Sequence, residues 1–247
     1  MSDETLRVTD EDPVGQETLE LFAKTDHFNE WMFENLSLYC RDNILEIGSG
    51  IGNISSLLLK KFSEVHLSDL RMSYCEKLKS RFSGDNRLKG VYRLDLGEKE
   101  IEKKYPALIN SFNSIIASNV VEHIEDDGTA VENCCKLLMS GGRLIVLVPA
   151  YDWLFNGFDK ELGHFRRYNK KTLSALMEGK GLSILHSQYF NAAGIAGWWF
   201  SGSVLKKKIL PKNQLNFYNK LIPLIRLVDQ VVLHKTGLSV IAVGEKK

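Results

Sequence analysis

The sequence predicts an α/β fold of three layers, in which helices cover both faces of a mostly parallel sheet. Between residues 43 and 148, short β-like runs alternate with helix-like stretches, the order that a parallel sheet with crossover helices requires. The run at 143–148 is almost wholly apolar, as expected for a strand covered on both faces. With 247 residues, the chain can bury a sizeable core without a disulfide or a metal.

The elements are predicted in a regular order. Apolar residues at helical spacing between 17 and 39 indicate one or two helices before the first strand. Strands are predicted at 43–47, 64–68, 91–94, 114–117, 143–148, 182–189 and 238–243. Helices are predicted between them at 51–62, 72–82, 128–139 and 171–179. An aromatic-rich loop at 151–168 follows the fifth strand.

The domain organisation is predicted to be simple. Residues 1–16 lack apolar periodicity and indicate a flexible lead-in, and residues 17–247 form a single domain. A helical insertion is expected at about 191–235, with aromatic residues at 198–200 and lysines at 206–208. We favour a helical cap or a dimer surface there over membrane contact, because aromatics at helical spacing usually pack against protein.

The composition of the chain argues against several classes of function. The 32 Lys and Arg residues nearly balance 31 Asp and Glu residues, and a net charge of +1 argues against a nucleic-acid partner. Four cysteines show no C-x-x-C spacing and no nearby histidine cluster, so we expect no metal site and reduced thiols in a cytoplasmic protein. The N-terminus is polar and acid-rich, unlike a secretory signal, and no apolar run is long enough to span a bilayer.

The segment ILEIGSGIGNIS at 44–55 is the most informative one. Its alternating glycines, Gly48, Gly50 and Gly52, fit a strand-to-helix turn whose backbone approaches a nucleotide-like ligand. A dinucleotide fingerprint would need a third glycine at position 53, where Asn53 stands. Glu46, at the strand end, suits a cationic ligand group and is badly placed for a pyrophosphate.

This acidic, glycine-alternating turn resembles the first motif of the class I S-adenosylmethionine-dependent methyltransferases. Three later strand ends are similar to the same family: VHLSDL, YRLDL and SNVVEHI. The resemblance implies a Rossmann-like, seven-stranded sheet whose last strand is antiparallel. It also implies S-adenosylmethionine as the cofactor and S-adenosylhomocysteine as its product.

The resemblance assigns roles to individual residues. Asp69 would hold the ribose hydroxyls, with Leu70 packed on the adenine, and Asp95 would contact the adenine amino group. His123 would lie near the methyl group. The full set of implied cofactor-binding residues is Glu46, Gly48, Ser49, Gly50, Gly52, Asn53, Asp69, Leu70, Asp95, Leu96, Ser118, Asn119, Val120 and His123.

The segment at 151–168 is predicted to form the acceptor wall, because it follows the fifth strand at the edge of the cofactor crevice. It resembles a G-H-x-R-R-Y signature found among bacterial methyltransferases. His164 is the candidate general base, and the two arginines could bind a phosphate or carboxylate. The alternative is that the arginines and tyrosine pin the loop through salt bridges. The candidate substrate-binding residues are Tyr151, Trp153, Asp159, Arg166, Arg167 and Tyr168.

The expected function is methyl transfer from S-adenosylmethionine to a small-molecule acceptor, such as a sugar, an amine or a lipid-linked metabolite. A nicotinamide-dependent oxidoreductase on a similar sheet is the first alternative, and Asn53 and Glu46 argue against it. A cofactor-binding protein without catalysis is the second. Protein or RNA methylation is less favoured, because the chain has no basic stripe and carries SNVV after the fourth strand. A homodimer is compatible with the sequence.

Overall fold

Residues 13–207 and 212–247 are described by the structure, a computed structural model. Its strands are β1 Ile44–Ile47, β2 Val65–Asp69, β3 Leu88–Arg93, β4 Phe112–Ser118, β5 Leu138–Pro149, β6 Leu182–Phe190 and β7 Ser239–Lys246. Its helices are α1 Pro13–Phe22, α2 Asp26–Ser37, α3 Ser55–Lys61, α4 Met72–Arg81, α5 Ile101–Lys104, α6 Asp127–Leu137, α7 Gly157–Glu161, α8 Lys170–Glu178, α9 Gly194–Trp198 and α10 Lys212–Val231.

The seven strands form one sheet in the order β3-β2-β1-β4-β5-β7-β6. Strands β1 to β5 pair in parallel, and β7 pairs antiparallel with both of its neighbours. The predicted Rossmann-like sheet with an antiparallel last strand is therefore confirmed. The strand order reverses between β1 and β4, and a crevice at such a reversal is where α/β sheets bind their ligands.

The core lies on both faces of the central strands. All four residues of β1 are buried, and β5 is buried from Leu144 to Pro149. Alternate residues of β5 belong to different apolar clusters: Val146 and Val148 pack on one face, Ile145 and Leu147 on the other. Period-two alternation places these side chains on opposite faces, which explains why the strand reads as continuously apolar.

Side-chain caps fix where three helices begin. Asp126 accepts a hydrogen bond from the backbone amide of Thr129 at the start of α6 (2.9 Å), and Asn169 does the same for Thr172 at the start of α8. Asn156 begins α7, a helix inside the predicted loop at 151–168. Sequence periodicity missed α7 because five residues are too few to display it.

The structure describes only part of the predicted lead-in and part of the predicted insertion. Residues 1–12 of the expected lead-in and residues 208–211 of the insertion lie outside the described residues. Residues 13–16 belong to α1. The insertion between β6 and β7 contains α9, which continues into a π-helical turn at Trp199–Val204, and α10. In the ranges that the structure describes, no helix is both long and apolar enough to cross a membrane.

Candidate cofactor and acceptor site

The turn after β1 requires its glycines for two reasons. Gly48, Gly50 and Gly52 have φ angles of 70°, 54° and 88°, in the left-handed region that side chains disfavour. Space is also lacking, because a Cβ on Gly48 would lie 2.5 Å from Val120 Cγ2. A Cβ on Gly50 would lie 2.8 Å from Leu19 Cδ1, so α1 covers this turn. The turn therefore lies between Val120, after the end of β4, and Leu19 of the N-terminal helix.

Glu46 lies buried beneath this turn. The Ser55 hydroxyl donates a hydrogen bond to its carboxylate, and burial raises the pKa of Glu46 to about 7. Nearby, the Ser68 hydroxyl donates to the Glu46 carbonyl at 2.9 Å. Both of these donors are uncharged hydroxyl groups. A cationic ligand group beside the carboxylate would therefore lower the cost of its ionised form.

Asp69 ends β2 and is tied to the glycine turn. One carboxylate oxygen accepts the amide N–H of Gly50 at 2.9 Å, and the other accepts that of Arg71 at 3.0 Å. Burial raises the pKa of Asp69, and these two amides oppose the rise. Asp69 therefore has an organised carboxylate beside the turn, with lone pairs left for further donors.

The other predicted cofactor residues follow the carboxyl ends of neighbouring strands. Asp95 follows β3 and accepts the amide N–H of Gly97 at 2.8 Å, and Leu96 beside it is buried. Asn119 follows β4 with a φ of 53°, and its amide donates to the Leu147 carbonyl at 2.8 Å. Asn53 donates its side-chain amide to the Leu19 carbonyl of α1. Ser49, Leu70 and Ser118 lie in the same strand-end segments.

A cluster of three side chains lies directly after the end of β4. Glu122 and His123 lie in the 3₁₀ turn Val121–His123, directly after Val120, whose side chain contacts the glycine turn. His164 comes from the segment after α7, and its ring centroid lies 4.6 Å from that of His123, edge to face. One potential ligand atom from each of Glu122, His123 and His164 lies within 4.8 Å of the other two.

Glu122 is the residue of this cluster that the sequence did not single out. It is 0% exposed, and among the described residues neither oxygen of its carboxylate has a hydrogen-bond partner. Burial raises the pKa of Glu122 to about 8, although the positive charge of Arg167 opposes the rise. The sequence signal was its position beside His123, just after a strand end. An unpartnered buried carboxyl group is costly, and such groups are enriched at functional sites.

His164 is held by a buried ion pair. Its Nδ1 lies 2.8 Å from Asp159 Oδ1, and the same carboxylate accepts hydrogen bonds from Arg167 Nε at 2.8 Å and Nη2 at 3.1 Å. Burial favours the neutral acid, but His164 and Arg167 hold the pKa of Asp159 below its usual value. The ionised carboxylate requires Nδ1 of His164 to be the donor, so Nε2 is the ring nitrogen that this ion pair does not occupy.

The remaining residues of the acceptor wall bond mainly within the protein. Arg167 also donates to the Ala150 carbonyl at 3.0 Å. Arg166 pairs with Asp127 at 2.8 Å, and the Tyr168 hydroxyl donates to the same carboxylate at 2.8 Å. These contacts agree with the alternative that salt bridges hold the segment in place. The partner of Arg166, Asp127, lies on α6 and not within the segment. Trp153 is exposed and stacks on Tyr151.

The cluster of Glu122, His123 and His164 also has the residue types that bind metal ions. The sequence shows no group of metal-ligating residues, whereas the fold brings Glu122, His123 and His164 together. Two imidazoles and a carboxylate are ligands that Zn²⁺ and other transition metals accept. Sequence spacing could not reveal this group, because His164 lies on a separate segment and meets the other two only in the folded chain.

A family model described as a methyltransferase domain matches residues 45–144. These residues therefore belong to a methyltransferase domain, and the sheet around them has the fold of the class I S-adenosylmethionine-dependent methyltransferases. Probable polyketide synthase 40 of Dictyostelium discoideum is 30% identical over 137 residues, 47% of this chain and 5% of that protein. A polyketide synthase-nonribosomal peptide synthetase of Aspergillus clavatus is 34% identical over 113 residues, 44% of this chain and 3% of that protein. The match to this methyltransferase therefore spans a twentieth or less of the length of these two relatives.

Solved structures with the same fold cover nearly the whole methyltransferase. An S-adenosylmethionine-dependent methyltransferase from Archaeoglobus fulgidus has a TM-score of 0.61 at 14% identity, covering 95% of this chain and 100% of that chain. Phosphoethanolamine N-methyltransferase 2 of Haemonchus contortus, in complex with S-adenosyl-L-methionine, has a TM-score of 0.59 at 17% identity, covering 98% and 58%. The segment 163–168 lies outside the residues that the family model matches.

Replacing Asp69 with alanine should weaken S-adenosylmethionine binding, because the variant would lose the charge-assisted hydrogen bond that the resemblance predicts between this carboxylate and the ribose. The expected loss is about 1.5–3 kcal/mol, roughly 10- to 150-fold in Kd, measured by calorimetry. Asp126→Ala is the matched control, since this aspartate also accepts a backbone amide but caps α6. Equal affinities for the Asp69→Ala variant and the unmodified protein would remove Asp69 from the cofactor site.

Cofactor affinity should depend on pH through Glu46. In the predicted site the ionised carboxylate would attract the cationic methionine half of the cofactor, and with a pKa of about 7 protons would compete with that group at lower pH. Affinity should therefore rise toward pH 8 and fall up to about tenfold per unit below pH 7. Glu46→Gln should bind more weakly and lose this dependence. A pH profile shared by the unmodified protein and the variant would assign the titration to another group.

Proposed function

We propose that the protein transfers the methyl group of S-adenosylmethionine to a small-molecule acceptor: a sugar, an amine or a lipid-linked metabolite. The observation that supports this most is the cluster of Glu122, His123 and His164 beside the cofactor crevice. Glu122 is buried and the His164 side chain is 7% exposed, whereas His123 is open to solvent. An acceptor could therefore reach the cluster at His123, while the buried Glu122 and the His164 side chain limit the access of water. Methyl transfer requires that water be excluded.

The chemistry gives the groups of the acceptor wall separate tasks. Methyl transfer from a sulfonium is an in-line displacement, so the protein mainly aligns the acceptor with the methyl carbon. A hydroxyl acceptor must lose its proton as it attacks, and Nε2 of His164 is the atom that would take it. Asp159 and Arg167 are positioning residues: the Asp159 carboxylate holds the imidazole through Nδ1, and Arg167 holds that carboxylate.

The test is release of S-adenosylhomocysteine with three classes of acceptor: free sugars, primary amines and lipid-linked sugars. We expect turnover with at least one class and none with nucleic acid, and no binding of NAD. Cofactor binding without turnover on any class would favour the alternative of a non-catalytic binding protein. NAD binding in place of S-adenosylmethionine would favour the oxidoreductase alternative.

Metal-assisted methyl transfer is a second candidate mechanism, favoured by the unpartnered carboxylate of Glu122 beside two imidazoles among the described residues. A divalent cation held there would lower the pKa of an acceptor hydroxyl and orient it, and His164 would then be a ligand rather than the base. Removing divalent ions with a chelator distinguishes the two mechanisms. Activity that survives removal supports His164 as base, whereas activity lost and restored by Zn²⁺ or Mg²⁺ supports the metal.

A further inference from the structure

Helix α10 is apolar on two opposite faces. One face carries Ile222 and Ile225, which are buried, and it packs against α2, where the amide of Phe28 donates to Asn219 Oδ1 at 3.1 Å. An ordinary surface helix has one apolar face, so the second face needs an explanation. Five apolar side chains on the other side of the helix, placed there by its 3.6-residue period, are exposed: Phe217, Leu224, Leu227, Val228 and Val231.

The neighbouring turn extends the exposed apolar surface. Trp199, Phe200, Val204 and Leu205 are each about half exposed, and the Gln214 side chain of α10 donates to the Ser201 hydroxyl of this turn at 2.9 Å. The expectation that the aromatic residues of the insertion pack against protein therefore holds for Trp198 but not for its two successors. We call the exposed apolar residues of α10 and of this turn, from Trp199 to Val231, the insertion face.

The insertion is also strongly basic. Residues 191–235 contain seven Lys and Arg residues and one aspartate, a net charge of +6, whereas the whole chain carries +1. Lys206 and Lys207 follow the turn and are exposed, and Lys220 lies between Phe217 and Leu224 on α10. Two copies of this chain joined through the insertion face would bring like charges together, which disfavours a symmetric dimer there. Aromatic and aliphatic residues flanked by lysines are typical of a surface that lies on anionic lipid.

The insertion face is connected to the acceptor wall. Trp198, immediately before the exposed turn, donates its indole N–H to the Leu154 carbonyl at 3.2 Å. Its ring also lies against the guanidinium of Arg167, 4.8 Å from the ring centroid, and against Phe158. A head group at the lipid surface would therefore lie near the segment that holds His164.

We propose that the insertion face binds an anionic lipid surface and brings the methyltransferase to a lipid-linked acceptor. The identity of the acceptor rests on the proposed function, but binding to lipid does not. The apolar residues would enter the interface between head groups and acyl chains, while the lysines remain at the anionic head groups. No membrane-spanning helix is needed for this mode of binding.

The test is co-sedimentation of the full chain with vesicles of phosphatidylcholine alone and of an equal mixture with phosphatidylglycerol, without cofactor or acceptor. We expect binding to the anionic vesicles that weakens as salt rises. Replacing Lys206 or Lys207 with glutamine should weaken it about fivefold each. The double variant Phe217→Glu, Leu224→Glu should abolish it. Met139→Glu is the matched control, because Met139 is an exposed apolar residue at the start of β5 and should leave binding unchanged.

Three results would overturn the proposal: no binding to either vesicle, binding that the double variant retains, or a dimer in solution that the double variant converts to a monomer. The last result would assign the insertion face to a second copy of the chain. Calorimetry with S-adenosylmethionine on the same variants shows whether they remain folded and bind cofactor. Failure of vesicle binding with intact methyl transfer would reject the lipid surface alone, and absence of methyl transfer to every acceptor would reject the proposed function.

Discussion

Replacing Asp159 with alanine should lower the free energy of unfolding by about 3–5 kcal/mol. The carboxylate is fully buried and bonds to Arg167 through two nitrogens and to His164 through one. Its removal leaves the guanidinium of Arg167 buried without its counter-charge. The change is measured by chemical denaturation monitored by fluorescence, near neutral pH.

Two variants make this prediction specific. Asp85→Ala removes a similar ion pair with Arg87 at the protein surface and should change stability little, because solvent screens exposed charges. Adding Arg167→Met to Asp159→Ala removes the unpaired charge and should recover part of the loss. Equal, small effects of Asp159→Ala and Asp85→Ala would mean that the Asp159 pair does not organise the acceptor wall.

Replacing His164 with alanine should reduce turnover on the true acceptor by about 10²-fold or more and leave S-adenosylmethionine affinity nearly unchanged. The reason is that Nε2 is the proposed proton acceptor, while His164 is not among the residues expected to contact the cofactor. The measurement is the rate of S-adenosylhomocysteine release at saturating acceptor, together with calorimetry of cofactor binding.

The control for this variant is His186→Ala, because His186 is on β6 and stacks on Tyr39, away from the acceptor wall. Its turnover should match that of the unmodified protein. The pH dependence of turnover adds a second readout, since a base that acts chemically alters the profile and a purely structural histidine does not. Full activity of His164→Ala at saturating acceptor would leave this residue with a structural role only.

The sheet and the cofactor edge could be predicted because their signals are local. Strands β1, β4 and β5 contain short apolar runs, and a glycine turn after β1 and a polar residue at the end of β2 mark two carboxyl ends, at Gly48 and Asp69. Parallel pairing then brings these ends to one edge of the sheet without any further information. The resemblance of four such ends in order indicated the family, and the match to the family model confirms it.

The acceptor wall could be predicted only in outline, because its contacts are long-range. The sequence identifies Asp159, His164 and Arg167 as candidates, but it does not reveal that one carboxylate binds both of the others. Glu122 is one of four acidic residues between 122 and 127, and only its burial beside His164 distinguishes it. The exposed face of α10 could not be predicted either, because apolar residues at helical spacing do not show which of them will pack against the protein.

Calorimetric titration of the purified protein with S-adenosylmethionine, S-adenosylhomocysteine and NAD, in parallel, tests the central claim most directly. We predict micromolar binding of the first two and no detectable binding of NAD. The reason is that the turn at 44–55 pairs an acidic residue with alternating glycines and lacks the third glycine of a dinucleotide fingerprint. Binding of NAD alone would contradict the assignment of Glu46 and the glycine turn to a cationic cofactor.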